Sequence, residues 1–435
     1  MADKEPPQTS MLLTSAYAML FLAWCLPFYI NVPPNLNLIG IVVVILFIGS
    51  HRSLKLRDVT ITPPGERDII TKEDAMRFPI VGSAVLFGLF IVLKLVPRDL
   101  VNLVLSVYFS AIGAYALASL VEPLTVPFLP LIYGKGAAPK EYGRIYQVTY
   151  VGPLPLIFTA PQLCCIVAAL PVVGLYFKTK YWLLNNLLGI AFAVQGIEAV
   201  SLGSFKVASI LLVGLFFYDI FWVFGTDKIL SGESVMVTVA KGLDAPIKLL
   251  FPKLANMTAV LEAEAATAAN ATLAALAANV TKAAPVFNAA GERLEFSMLG
   301  LGDIVIPGFF LALLLRFDAE RANADPKQGA SGTFPKPFFY SNLVAYVAGL
   351  LATVLVMEFF KAAQPALLYL VPACLLGALA MAATRGELAA LFAYDEEEIA
   401  EAAGGSSEED KGEKPKEAES NGDWAAAAFE SKKIK

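Results

Sequence analysis

Apolar runs of roughly bilayer length recur along this 435-residue chain. They cover residues 12–30, 36–50, 79–96, 100–121, 158–177, 182–200, 207–224, 296–315, 338–360 and 365–383. A helix needs about 17–25 mostly apolar residues to cross the hydrocarbon core, so the pattern predicts nine or ten spans. The expected fold is all-α, a polytopic membrane helix bundle of about nine transmembrane helices. The run at 36–50 is short and is expected to form a hairpin with its predecessor across Pro33-Pro34.

Composition agrees. The chain is 57% hydrophobic and 16% charged, against about 45–50% and 25% for a soluble domain. The four cysteines, Cys25, Cys164, Cys165 and Cys374, all fall in apolar runs, where small buried hydrophobes are expected rather than a disulfide framework. The first run lacks a basic leader, so a retained span or signal anchor is expected.

Between 227 and 295 lies a long polar insertion. Its first part is β-branched around Val235 to Val239 and predicts a short strand, whereas 254–290 is an Ala-rich, low-complexity tract. That tract carries three N-x-[ST] sequons, at Asn256, Asn270 and Asn279, which favour a lumenal, glycosylated loop. Three spans follow, which puts the C-terminus in the cytosol. Counting back through five spans puts the 51–77 linker there too, and Arg52, Lys55 and Arg57 satisfy the positive-inside rule.

From Asp395 onward the tail has 13 acidic and 6 basic residues, so the acidity of the chain resides there and disorder is expected. Its last residues include Lys432 and Lys433, which resemble a cytosolic di-lysine signal for retrieval to the endoplasmic reticulum membrane. The expected organisation is an N-terminal anchor and linker (1–78), N-terminal membrane helices (79–200), a membrane core with the loop insertion (201–391), and the tail (392–435).

Two aspartates interrupt the apolar runs. Asp219 lies in VASILLVGLFFYDIFWVFGT and Asp303 in FSMLGLGDIVIPGFFLALLL. A carboxylate at mid-membrane costs about 2.5–3.5 kcal/mol even on lenient scales, so a pair points to chemistry. Two carboxylates sharing one proton can activate water and polarise a peptide carbonyl. Gly300 and Gly302 clear the approach to Asp303, while Pro307 loosens the helix one turn on. Tyr218 is placed to orient Asp219.

Other chemistries fail on inventory. The only histidine is His51, so neither an HExxH zinc site nor a Ser-His dyad can be built in the membrane. The GASG string at 329–332 sits in a polar loop and reads as a turn. A proton-coupled transporter or channel using the aspartates as a relay remains the alternative, although no inverted repeat is evident. A silent scaffold would leave both aspartates unexplained. Glu198 and Glu358 read as helix-end residues snorkelling near Lys206 and Lys361.

Tyr218-Asp219, Gly300-Leu301-Gly302-Asp303 and Pro365-Ala366-Leu367, in that order on three apolar segments, resemble the GxGD intramembrane aspartyl proteases. The strings FFYDIFWVFGT, MLGLGDIVIPG and QPALLYLVPA are similar to the signal peptide peptidase branch more than to presenilin, over most of 77–391. The resemblance implies a presenilin-like bundle in which Asp219 and Asp303 are catalytic and Pro365, Ala366 and Leu367 line the site beside Gly300, Leu301 and Gly302. It implies no metal or organic cofactor. Its partners would be membrane-spanning signal peptides and other type II segments, the lipid bilayer and, compatibly, further copies of the chain; nucleic acid is not among them.

Overall fold

Helix α1 (Met11–Cys25) and helix α2 (Pro34–Arg52) form the expected hairpin, packed along one another. Pro34 opens α2 at a first-turn position, where the missing N–H would be unpaired anyway. The computed structural model describes residues 11–26, 32–57, 68–125, 145–151, 154–225, 235, 239, 242–243, 245–252, 296–326, 332–360, 364–396 and 398–399. At 15 residues α1 is shorter than a typical span. By contrast α2, extended by a 3₁₀ turn over Ser53–Arg57, is a central stave whose Ile41, Val42, Ile45, Leu46 and Ile48 are fully buried.

A short strand β1 (Asp68–Ile70) leads into α3 (Lys72–Leu95), which a Thr71–Asp74 capping box starts. Then come α4 (Arg98–Thr125), an antiparallel hairpin of β2 (Ile145–Val151) and β3 (Leu154–Thr159), α5 (Ala160–Thr179) and α6 (Trp182–Ala199). Strand β4 (Val200–Leu202) pairs in parallel with β1, tying the 68–70 segment to the turn before α7 (Phe205–Ile220). A π-helical turn over Phe221–Gly225 ends α7.

Strand β5 (Lys248–Pro252) pairs antiparallel with β6 (Phe296–Gly300), with Leu249 opposite Leu299. The last elements are α8 (Gly302–Arg321), α9 (Pro337–Phe360), α10 (Leu367–Arg385) and the short α11 (Leu388–Ala393). Gly386, at φ +68°, terminates α10 in the left-handed conformation that glycine adopts freely.

Among the described residues, seven helices are long and apolar enough to cross a membrane. Helices α6 and α8 are comparably long, at 18 and 20 residues, but carry Asn185, Asn186, Gln195 and Glu198, or Asp303, Arg316, Asp318 and Glu320. Those two polar helices are largely buried, as α2 is. A Cβ on Gly308 of α8 would fall 2.5 Å from the Ile197 side chain of α6, and one on Gly49 of α2 would fall 2.8 Å from the same residue. Glycine therefore lets three backbones converge around Ile197, the small-residue packing expected where lipid gives no hydrophobic drive between helices.

Three expectations change. The run at 296–315 is not one helix: its first five residues are strand β6, so Asp303 sits in the first turn of α8 rather than in mid-helix. Val235 and Val239 are helical, buried against Phe90, Leu93 and Trp222, and the strand lies further on at Lys248–Pro252. Glu198 does not snorkel towards Lys206. It is buried, with its carboxylate 2.7 Å from Arg52 Nε and 2.6 Å from Lys55 Nζ, because a buried carboxylate needs a paired cation.

Residues 392–396, assigned to the tail by composition, return to the bundle. The Glu396 N–H donates to the Gly203 carbonyl at 2.8 Å, and Asp395 bridges Ser204. The sequons Asn256, Asn270 and Asn279, the di-lysine pair Lys432 and Lys433, and the 329–331 part of the GASG string lie outside the described residues.

Candidate active site

Asp219 is the penultimate residue of α7, just before the π turn. Single π turns occur disproportionately at functional sites because they re-aim side chains within a helix. The π turn itself is anchored to α3: Trp222 Nε1 donates to Ser83 Oγ at 3.0 Å, and that hydroxyl donates to the Pro79 carbonyl at 2.7 Å.

The Asp219 side chain is 3% exposed. The backbone N–H of Leu367, the first residue of α10, is directed at the Asp219 carboxylate. First-turn N–H groups have no partner inside their own helix and carry its positive end, so a carboxylate is a fitting acceptor. Pro365 and Ala366 make the turn that delivers this donor, with their carbonyls accepting from Leu368 at 3.3 Å and from Tyr369 and Leu370 at 3.1 Å. Asp219 Oδ2 is buried with no hydrogen-bond partner among the described residues.

Asp303 is reached along strand β6. Strand β6 runs to Gly300, Leu301 caps α8 and its N–H donates to the Ile247 carbonyl at 2.9 Å, and Asp303 follows within the first turn. Helices α7 and α8 pack directly. Asp303 is half-buried, and Gly302 beside it is exposed. The two glycines differ in kind: a Cβ on Gly300 would stand 3.3 Å from Asp303 Oδ2, whereas one on Gly302 would meet only Ile306 at 3.9 Å.

The structure thus brings Asp219, Asp303, Gly300, Leu301, Gly302, Pro365, Ala366 and Leu367 to one region where α7, α8 and α10 meet. Tyr218 is adjacent but makes no hydrogen bond to Asp219. Its ring faces Gly82 of α3 and lies 6.3 Å from that of Trp222, because the helix turn carries it about 100° from Asp219. Orientation of Asp219 falls to the Leu367 N–H instead.

Two contributors escaped the sequence reading. Tyr346 of α9, fully buried, donates its hydroxyl to the Asp303 carbonyl at 3.2 Å. Asn342, one turn earlier, donates to the Cys374 carbonyl at 2.6 Å and fixes α9 to α10. A buried amide or phenol in an apolar helix costs free energy unless it is bonded, and that cost was the available signal.

Paired carboxylates held between helix ends inside a membrane-spanning bundle are the inventory of an intramembrane aspartyl protease, and that is the class of this chain. It belongs to the signal peptide peptidase family. The family model described as signal peptide peptidase matches residues 63–398. The chain is 34% identical over 403 residues to the signal peptide peptidase of Mus musculus, covering 90% of this chain and 86% of that protein. Over 400 residues it is 34% identical to the signal peptide peptidase of Homo sapiens, with the same coverage of each. It is also 39% identical over 307 residues to intramembrane protease 2 of Caenorhabditis elegans, covering 65% of this chain and 57% of that protein. The transporter alternative has no support among these relatives.

Proposed function

We propose that Asp219 and Asp303 are the catalytic pair of this intramembrane protease, and that its substrates are type II membrane segments, chiefly signal peptides left after signal peptidase has acted. The observation that carries the assignment is that two packed helices place Asp219 at the end of one and Asp303 at the start of the other, the latter fed by a strand and the former facing the start of α10.

In the reaction the ionised member of the pair takes a proton from water as the oxygen adds to the scissile carbonyl. The protonated member donates a hydrogen bond to the carbonyl oxygen as it gains charge. Collapse of the tetrahedral adduct then transfers a proton to the departing amine and breaks the C–N bond. Half-burial of Asp303 beside exposed Gly302 supports a route for water to this side of the pair.

A helical substrate hides its peptide carbonyls in its own hydrogen bonds, so it must be unwound before cleavage. Strand β6 offers the means: Met298 is 53% exposed, and a strand edge leading into Asp303 can pair with an extended backbone. Residence in the endoplasmic reticulum, a lumenal loop between β5 and β6 and a cytosolic tail are supported by the three sequons, the Arg52, Lys55 and Arg57 cluster and the terminal Lys432-Lys433.

The test is reconstitution of the purified protein in liposomes with a reporter signal peptide. Cleavage that is lost in Asp219→Asn and in Asp303→Asn is the expected result; wild-type cleavage by either variant removes the assignment.

A further inference from the structure

The β5–β6 pair has two outer edges, and the structure treats them differently. Asn185 Nδ2 donates to the Lys248 carbonyl at 2.8 Å, Asn186 Nδ2 donates to the Leu250 carbonyl at 2.7 Å, and Asn186 Oδ1 accepts from the Leu250 N–H at 2.8 Å. In an antiparallel strand the N–H and C=O of one residue point to the same side and alternate residues point to opposite sides. Lys248 and Leu250 therefore present their backbone groups to α6, while Leu249 and Phe251 present theirs to β6. The Leu301 N–H bond to the Ile247 carbonyl has the same phase.

The phase also settles the other edge. In β6, Ser297 and Leu299 face β5, so the N–H and C=O of Met298 and Gly300 point outward, and no described residue pairs with them. A primary amide side chain has the donor and acceptor of a peptide group. Asn186 uses both on Leu250, as a neighbouring strand would. Both asparagines are at least nine-tenths buried, at 5% and 0% exposure. Gly189, one turn along α6, makes the contact close enough: a Cβ there would stand 3.0 Å from Leu249 Cδ2.

We propose that Asn185 and Asn186 are positioning residues for cleavage: their side-chain amides stand in for a third strand on the inner edge of β5, closing that edge to substrate and fixing the register of β6. Since β6 runs directly into the Gly300 to Asp303 turn, its register sets where Asp303 meets the scissile bond. The proposal rests on the assignment of Asp219 and Asp303 as the cleaving pair. Without the amides only the ladder between β5 and β6 holds the register, and a two-residue slip, which keeps the same side chains buried, moves the chain about 7 Å along the sheet.

Asn186→Leu keeps the shape and removes both hydrogen-bonding groups; Asn185→Ala removes a single bond. Each variant is purified, its fold checked by circular dichroism and gel filtration, and its products from a reporter signal peptide mapped by mass spectrometry. Asn186→Leu is expected to lower kcat on the order of 10²-fold, with little change in KM, and to scatter the cut over neighbouring bonds. Asn185→Ala should scatter it less. Folded Asn186→Leu cutting only at the wild-type bond overturns the proposal, whatever its rate or thermal stability. If Asn186→Leu does not fold, Asn185→Ala decides alone, and an unscattered cut there overturns it equally. Failure of the wild-type protein to cleave the reporter would instead remove the catalytic assignment.

Discussion

Arg316 of α8 and Glu396, three residues past α11, form an ion pair of 2.7 Å from which solvent is almost excluded, the arginine side chain being 1% exposed. The pair is fully dressed: Arg316 also donates to Ser53 Oγ at 2.9 Å and Ser201 Oγ at 3.2 Å, Ser201 donates to Glu396 Oε2 at 2.5 Å, and Tyr394 donates to Oε1 at 3.2 Å. Burial pushes the Tyr394 hydroxyl well above its ordinary pKa, reinforced by the Glu396 charge, so it stays a neutral donor.

Removing one partner of such a pair strands the other charge. Glu396→Ala should destabilise the protein by about 3–5 kcal/mol, seen as a lowered unfolding temperature in detergent. The double variant Arg316→Met, Glu396→Leu should recover most of that loss, because it leaves no unpaired charge. An unchanged Tm in Glu396→Ala would mean that the contact contributes nothing in solution.

The aspartates should act as a unit. Combining Asp219→Asn with Asp303→Asn should give a rate no lower than either single change, since the first loss leaves little for the second to remove. Single-turnover rates of the three variants check this; multiplicative losses would assign the residues to separate steps.

Gly300 and Gly302 should respond unequally. At 3.3 Å from Asp303 Oδ2, a new methyl on Gly300 must displace the carboxylate, whereas on Gly302 it finds ordinary contact distance. Gly300→Ala is expected to lower activity, because the Asp303 carboxylate must give by a few tenths of an ångström, and Gly302→Ala to retain most of it. Equal losses would show that Gly302 serves substrate approach as well.

Topology has its own test. If the loop containing Asn256, Asn270 and Asn279 is lumenal, endoglycosidase should shift the protein's mobility, and replacing all three asparagines should abolish the shift. Protease added to sealed microsomes should remove the C-terminal tail; a protected tail would reverse the orientation.

The helices were legible because apolar runs of span length leave little choice. The aspartates were legible because each breaks such a run. Strand β6 was not, since Phe296 to Gly300 is as apolar as the helix it precedes and periodicity cannot separate a short buried strand from a helix. Its partner β5 lies more than 40 residues earlier in the sequence, beyond reach of any local pattern. Glu198 was misjudged for a related reason: its partners Arg52 and Lys55 come from a distant helix end. The polar helix α6 looked like an ordinary span until Asn185 and Asn186 were seen meeting backbone groups of β5.

The donor directed at Asp219 belongs to the main chain at Leu367, not to any side chain. Alanine scanning of 365–367 would therefore pass over it, because every natural residue except proline supplies the same N–H. An enzyme can drift widely in side chain at that position and keep its carboxylate aimed. Only chemistry on the backbone itself, an ester in place of the amide before residue 367, would silence the contact while leaving every side chain in place.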